Sequence, residues 1–121
     1  MQDSRFYGNI NNMKYKNTLQ KGNVRFIIFR EKGAWYGVCL EFNIVETGDN
    51  PREAMLLLFE AVEGYLESAR KIKARPHILN QKPDREYEEM WDDLEEHKKI
   101  RAKEIFTFGN LNLSKHSFVA A

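Results

Sequence analysis

The sequence predicts an α+β fold, in which a three-stranded antiparallel meander, with room for a fourth strand, packs on a long amphipathic helix and is followed by a C-terminal helix. Runs rich in β-branched and aromatic residues lie between residues 24 and 47 and are separated by turn-forming residues. Apolar residues then recur at helical spacing from Pro51 to Lys73. A second helical stripe begins after Pro83.

The length of 121 residues is that of one domain. We divide it into a loose leader at 1–22, an α/β core at 23–83, and a C-terminal helix with a strand-like or mobile tail at 84–121. The chain contains no apolar run of the ~20 residues that a membrane span needs, and its beginning does not resemble a signal peptide. The expected location is therefore the cytoplasm.

The strands begin with Val24–Arg30, and a turn containing Gly33 leads to a second strand at Trp35–Phe42. A short third strand at 44–47 completes the meander. Because side chains alternate along a strand, the second strand should have two different faces. One face carries Tyr36, Val38, Leu40 and Phe42, and the other carries Trp35, Gly37, Cys39 and Glu41.

The junction between the third strand and the first helix reads as a turn and a helix cap. Asn50 has the position of an N-cap, Pro51 that of the first helical residue, and Glu53 that of the capping-box partner. A phosphate loop would need more glycines than Gly48, and a calcium loop would need more oxygens than Asp49 and Asn50 supply. The residues that define this junction are Gly48, Asp49, Asn50, Pro51, Glu53 and Ala54.

The first helix carries an apolar stripe that is wider than one buried face needs. Leu56, Leu57 and Tyr65 provide the extra width, so we expect this helix to contact the sheet and also a partner or a second copy of the chain. The candidate partner or oligomer face comprises Tyr36, Leu56, Leu57, Tyr65 and Trp91. We therefore expect the chain to form a homo-oligomer.

The second helix is predicted over residues 84–104, with an apolar stripe, an acidic beginning and a basic end. Its stripe comprises Tyr87, Met90, Trp91, Leu94 and Arg101. Residues 77–80 could form one more short strand, and residues 104–113 either a closing strand or a mobile end.

No residue pattern indicates a catalytic, cofactor-binding or metal site. Cys39 lies in an apolar run, and the three histidines form no ligand spacing with it. A magnesium-dependent hydrolase would depend on Glu41, Glu46 or Asp49, which form no evident cluster. The interval from Arg70 to Lys82 is basic, which fits either a solvated helix end or a nucleic-acid contact. Its basic residues are Arg70, Lys71, Lys73, Arg75, His77 and Lys82.

In combined order, these features resemble the HicB-like antitoxin family over residues 23–75. The resemblance is carried by an aromatic-glycine strand, by the Gly-Asp turn and by a helix that begins Pro-x-Glu-Ala. The matching residues are Trp35-Tyr36-Gly37-Val38, Ile44-Val45, Gly48-Asp49-Asn50-Pro51-Arg52-Glu53-Ala54 and Tyr65-Leu66-Glu67.

The resemblance implies a partial ribonuclease-H-like fold without nuclease activity. Such a module neutralises a small HicA-type toxin that cleaves messenger RNA. Many members of the family also carry a DNA-binding helix-turn-helix or ribbon-helix-helix, but no such pattern follows Pro83, so the sequence gives no support for DNA binding. The alternatives are a stand-alone oligomeric HicB-like protein of unknown partner and a nucleic-acid-binding regulator.

Overall fold

A computed structural model of the chain describes residues 15–97, 103–114 and 117–120. It contains a five-stranded antiparallel sheet in the order β3-β2-β1-β4-β5. The predicted α+β class is confirmed. In chain order the elements are β1 (Asn23–Glu31), β2 (Ala34–Cys39), β3 (Ile44–Gly48), α1 (Pro51–Lys71), a 3₁₀ helix (Pro76–Leu79), α2 (Arg85–Glu95), β4 (Lys103–Asn112) and β5 (Ser117–Ala120).

The central strand β1 is buried on both faces of the sheet. Val24, Phe26 and Ile28 belong to the core beneath α1, whereas Ile27 and Phe29 belong to the core beneath α2. This explains why the run is continuously apolar, since a strand covered on both faces needs no polar alternation. The sheet therefore lies between the two helices.

The core beneath α1 is formed by the inward side of that helix. Its buried residues follow the spacing of successive helical turns, which places them on one side of the helix. They are Ala54, Leu58, Val62, Leu66 and Ala69. Phe59 at the flank of the helix meets Phe26 edge to face, with 5.4 Å between the ring centroids.

The core beneath α2 contains Met90 and Trp91 packed on β1 and β2. Trp91 is only 6% exposed and meets Phe108 of β4 edge to face, with 5.5 Å between the ring centroids. The predicted aromatic stripe of the second helix therefore docks on the sheet, on the face opposite α1.

Arg25 joins α2 to the sheet through two carboxylates. Its Nε lies 2.6 Å from an oxygen of Glu41, and its Nη1 lies 2.5 Å from an oxygen of Glu88. The guanidinium also lies over the Trp91 ring, 5.5 Å from the centroid. Burial acts to lower the pKa of Arg25, but the hydrogen bonds and charges of Glu88 and Glu41 outweigh it and raise that pKa overall. Glu41, the one charged residue of the predicted second strand, thus has a charged partner.

The ion pair between Arg25 and Glu88 should make the stability of the fold depend on pH. The hydrogen bond from Arg25 lowers the pKa of Glu88 below its ordinary value of 4.5 in the folded chain. The stabilisation is therefore present above the unfolded pKa and lost as pH falls through the folded one. We expect Glu88→Gln to lower the unfolding free energy at pH 7 by about 0.5–1 kcal/mol.

Urea unfolding of the wild-type chain and of Glu88→Gln at pH 7 and at several values below pH 4.5 tests this. The difference in unfolding free energy between the wild type and Glu88→Gln should shrink as the pH falls. Glu89→Gln is the matched control, because Glu89 pairs with Arg85 at the surface of the same helix. A difference that persisted unchanged at low pH would contradict the role assigned to Arg25 and Glu88.

Two predicted secondary-structure assignments are wrong. Of the expected strand at 77–80, residues 77–79 belong to the 3₁₀ helix, which Pro76 begins and in which Leu79 is fully buried, and Asn80 is its C-cap. The second helix ends at Glu95 rather than at 104, and its last turn is followed by His97 at a positive φ of 59°. The stripe positions that follow Leu94 are the polar residues His97 and Lys98, so the apolar stripe is not continued there. The expected stripe member Arg101 lies outside the described residues.

Phe42 also departs from the prediction, because it packs in the core beneath α1 rather than with Val38 and Leu40. β2 ends at Cys39, and residues 40–43 form a turn in which Asn43 has a φ of 54°. The alternation of side chains therefore stops before Phe42 is reached.

The expected closing strand is present as β4, which pairs with β1 along its whole length. The apolar residues Leu111 and Leu113 fill the core beneath α1. Residues 103–112 thus belong to the same sheet as the meander.

Asn17, which we placed in the leader, is fully buried. Its side chain donates a hydrogen bond to the Leu79 carbonyl oxygen (2.9 Å) and accepts one from the Asn23 amide (2.8 Å). Gly22 has a φ of 139°, and a Cβ atom there would clash with the Asn17 side chain. These contacts fix residues 17–23 against the 3₁₀ helix.

Candidate protein-binding face

The junction between β3 and α1 positions the helix on the sheet. The Asn50 side chain accepts a hydrogen bond from the Glu53 amide (2.9 Å), and the Glu53 carboxylate accepts one from the Asp49 amide (2.6 Å). A Cβ atom at Gly48 would lie 2.6 Å from the Ala54 amide nitrogen, so glycine permits the close approach of the strand end to the helix. This geometry is a structural cap and offers no ligand site.

Replacing Asn50 with Ala should lower the unfolding free energy by about 1 kcal/mol, because the Glu53 amide would lose its side-chain acceptor. Asn50→Ser, which keeps an acceptor oxygen, should remain close to the wild type. Thermal or urea unfolding of the three chains checks this. Equal stability of Asn50→Ala and the wild type would show that the cap does not stabilise α1.

The outer face of α1 carries exposed apolar side chains. Leu56 is 60% exposed and Leu57 is 37% exposed. A groove of about 480 Å³ lies along this face. It is lined by Leu56, Phe59, Glu60, Glu63, Gly64 and Glu67. We call these residues together with Leu57 the outer face of α1.

The charges of the outer face are all negative. Glu60, Glu63 and Glu67 recur three or four residues apart, so they lie on the same side of the helix as Leu56. The first basic residues on the helix after Arg52 are Arg70 and Lys71 in the last turn. An apolar strip bordered by carboxylates suits a basic protein surface with apolar side chains.

The other three residues of the predicted face lie elsewhere. Tyr36 and Trp91 belong to the core beneath α2, on the opposite side of the sheet. The Tyr65 hydroxyl donates a hydrogen bond to the Ile78 carbonyl oxygen (2.7 Å), and burial raises the pKa of this hydroxyl. Tyr65 therefore helps to hold the 3₁₀ helix against α1. Of the five predicted residues, the structure brings only Leu56 and Leu57 together on one exposed face.

The residues that were considered for catalysis occupy structural positions in the fold. Cys39 is buried, and burial raises the pKa of its thiol, so the reactive thiolate is disfavoured. Glu41 is engaged by Arg25, while Glu46 is half-buried on β3 and Asp49 is exposed in the turn. Among the described residues, no group of three or more His, Cys, Asp and Glu side chains could hold a metal ion. None of the helices in that part of the chain is long and apolar enough to cross a membrane.

Sequence reasoning missed the acidic border of the outer face, although its signal is present in the spacing of Glu60, Glu63 and Glu67. These residues fall on one helical side together with Leu56. Comparisons of the chain with protein-family models, with curated proteins and with solved structures find no match.

Proposed function

We propose that this chain is a non-catalytic, cytoplasmic protein-binding module that holds a small basic partner protein against the outer face of α1. The observation that carries the proposal is the exposure of Leu56 and Leu57 beside Glu60 and Glu67. The resemblance to HicB-like antitoxins supports a partner of the HicA toxin type. A protein that binds messenger RNA needs basic residues, and their charge complements that of the outer face.

The charges of the outer face favour a different protein over a second copy of this chain. If two copies packed antiparallel with a two-fold axis near Gly64, Glu60 of each copy would lie beside Glu67 of the other. Opposed like charges destabilise such a pairing. A homo-oligomer through another surface stays a prediction, which the mass of the isolated chain in solution tests.

Coexpression of the chain with each short, basic protein encoded beside its own gene tests the proposed function. We expect one of them to purify as a complex of defined stoichiometry, whose mass exceeds that of either chain alone. If none of these proteins bound, the antitoxin form of the proposal would be wrong.

A further inference from the structure

The fold gathers cations at one end of the molecule, although the net charge of the chain is only +1. Hydrogen bonds between Asn17 and Asn80, each about 2.9 Å long, bring residues 15–23 beside the segment that follows α1. Neither residues 15–23 nor residues 68–82 contain an Asp or Glu. We call their seven Lys and Arg residues the basic pole: Lys16, Lys21, Arg70, Lys71, Lys73, Arg75 and Lys82.

The register of the sheet places this pole away from many of the acidic residues. β1 begins at the pole and ends at Glu31, where Lys103 and Glu104 of β4 lie opposite its last residues. The acidic capping residues of α1 also lie at that far end, since Gly48 pairs with Trp35 near the end of the β1–β2 hairpin. The two segments that form the pole thus carry only positive charge, which the total charge of the chain conceals.

The helix dipole explains only part of the basic pole. Arg70 and Lys71 lie in the last turn of α1, where cations stabilise the C-terminal end. The other five residues lie beyond the helix or in residues 15–23. Six of the seven are exposed, and none of the seven forms a salt bridge within the part of the chain that the structure describes. Ion pairs among the described residues therefore do not account for them.

Exposed uncharged side chains accompany these cations. Ile72 is 74% exposed between Lys71 and Lys73, and the exposed ring of Tyr15 adjoins Lys16. We infer that the basic pole is a second binding surface, separate from the outer face of α1, that takes the phosphate backbone of a single-stranded nucleic acid. Lys and Arg contact phosphates, and an exposed aromatic ring can stack on a base.

Fluorescence anisotropy of the full chain with a labelled 12-nucleotide single-stranded RNA tests the inference. With about five phosphate contacts, affinity should fall about 100-fold between 50 and 200 mM salt. The same sequence as single-stranded DNA should bind with similar affinity, because the phosphates are shared. Preferential binding of duplex would overturn the single-strand assignment.

The variant Lys71→Gln/Arg75→Gln/Lys82→Gln should bind the RNA at least about tenfold more weakly and with a smaller salt slope. The matched control is Arg30→Gln/Lys32→Gln/Arg52→Gln, which removes the same charge from the far end and should bind nearly as the wild type does. Unfolding curves establish that both variants fold. Absence of binding at 50 mM salt, or equal losses in the two variants, would overturn the inference. Neither outcome depends on whether a protein binds to the outer face of α1.

Discussion

Replacing Leu58 with Ala is expected to lower the unfolding free energy by about 2–5 kcal/mol, the largest effect that we predict for this chain. Leu58 is fully buried between α1 and the sheet, in contact with the core formed by Phe26 and Ile28. Removing its side chain would leave a cavity that rigid neighbours fill only in part. Urea unfolding measures the difference.

The preceding leucines of the same helix provide the matched controls. Leu56→Ala should change the unfolding free energy by no more than about 0.5 kcal/mol, because that side chain is largely exposed. The change in unfolding free energy caused by Leu57→Ala should lie between the changes caused by Leu56→Ala and Leu58→Ala. If Leu56→Ala destabilised the chain as much as Leu58→Ala does, the outer face would be covered within the chain itself and could not serve a partner.

The second large effect concerns binding of the basic partner. Leu56→Asp should weaken that binding at least about 30-fold, as expected when a central apolar contact of an interface is lost. The same substitution should leave the fold nearly unchanged. Glu60→Lys/Glu67→Lys should mainly slow association and reverse its salt dependence, because these carboxylates attract the partner before contact.

Val45→Asp is the control for the apolar contact. Val45 is 44% exposed on β3 and is not part of the outer face of α1. The Val45→Asp variant should bind the partner as the wild type does. Equal losses in Leu56→Asp and Val45→Asp, in chains that remain folded, would show that the partner does not recognise the outer face.

Local patterns in the sequence predict the first half of the fold well. The hairpin, the cap at Asn50 and the helical stripe from Ala54 to Ala69 each depend on neighbours within a few residues, so their physics can be read directly from the order of amino acids. The continuous apolar run of β1 also contained the information that both faces of the sheet are covered. From the sequence alone we interpreted this run only as a strand, because an apolar run does not show which elements pack on its two faces.

The remaining features depend on contacts between distant residues. The sequence marks Trp91 as a member of an aromatic stripe, but only the tertiary structure places it against Phe108 and beneath Arg25. Tyr65 likewise widens the apolar stripe of α1, yet its hydroxyl donates a hydrogen bond to the carbonyl oxygen of Ile78. The spacing of apolar residues along a helix does not show whether the edge of the apolar stripe is buried or exposed. The burial of Asn17 in the expected leader has the same origin, since two of its partners, Leu79 and Asn80, are about sixty residues away.

We propose that the outer face of α1 binds a basic protein. Calorimetric titration of the wild-type chain and of Leu56→Asp with the purified partner, at one salt concentration, tests it most directly. We expect saturable binding to the wild type and at least about 30-fold weaker binding to the variant, while the unfolding free energies of the two chains differ by no more than about 1 kcal/mol. Equal affinity of the two chains for the partner would contradict it.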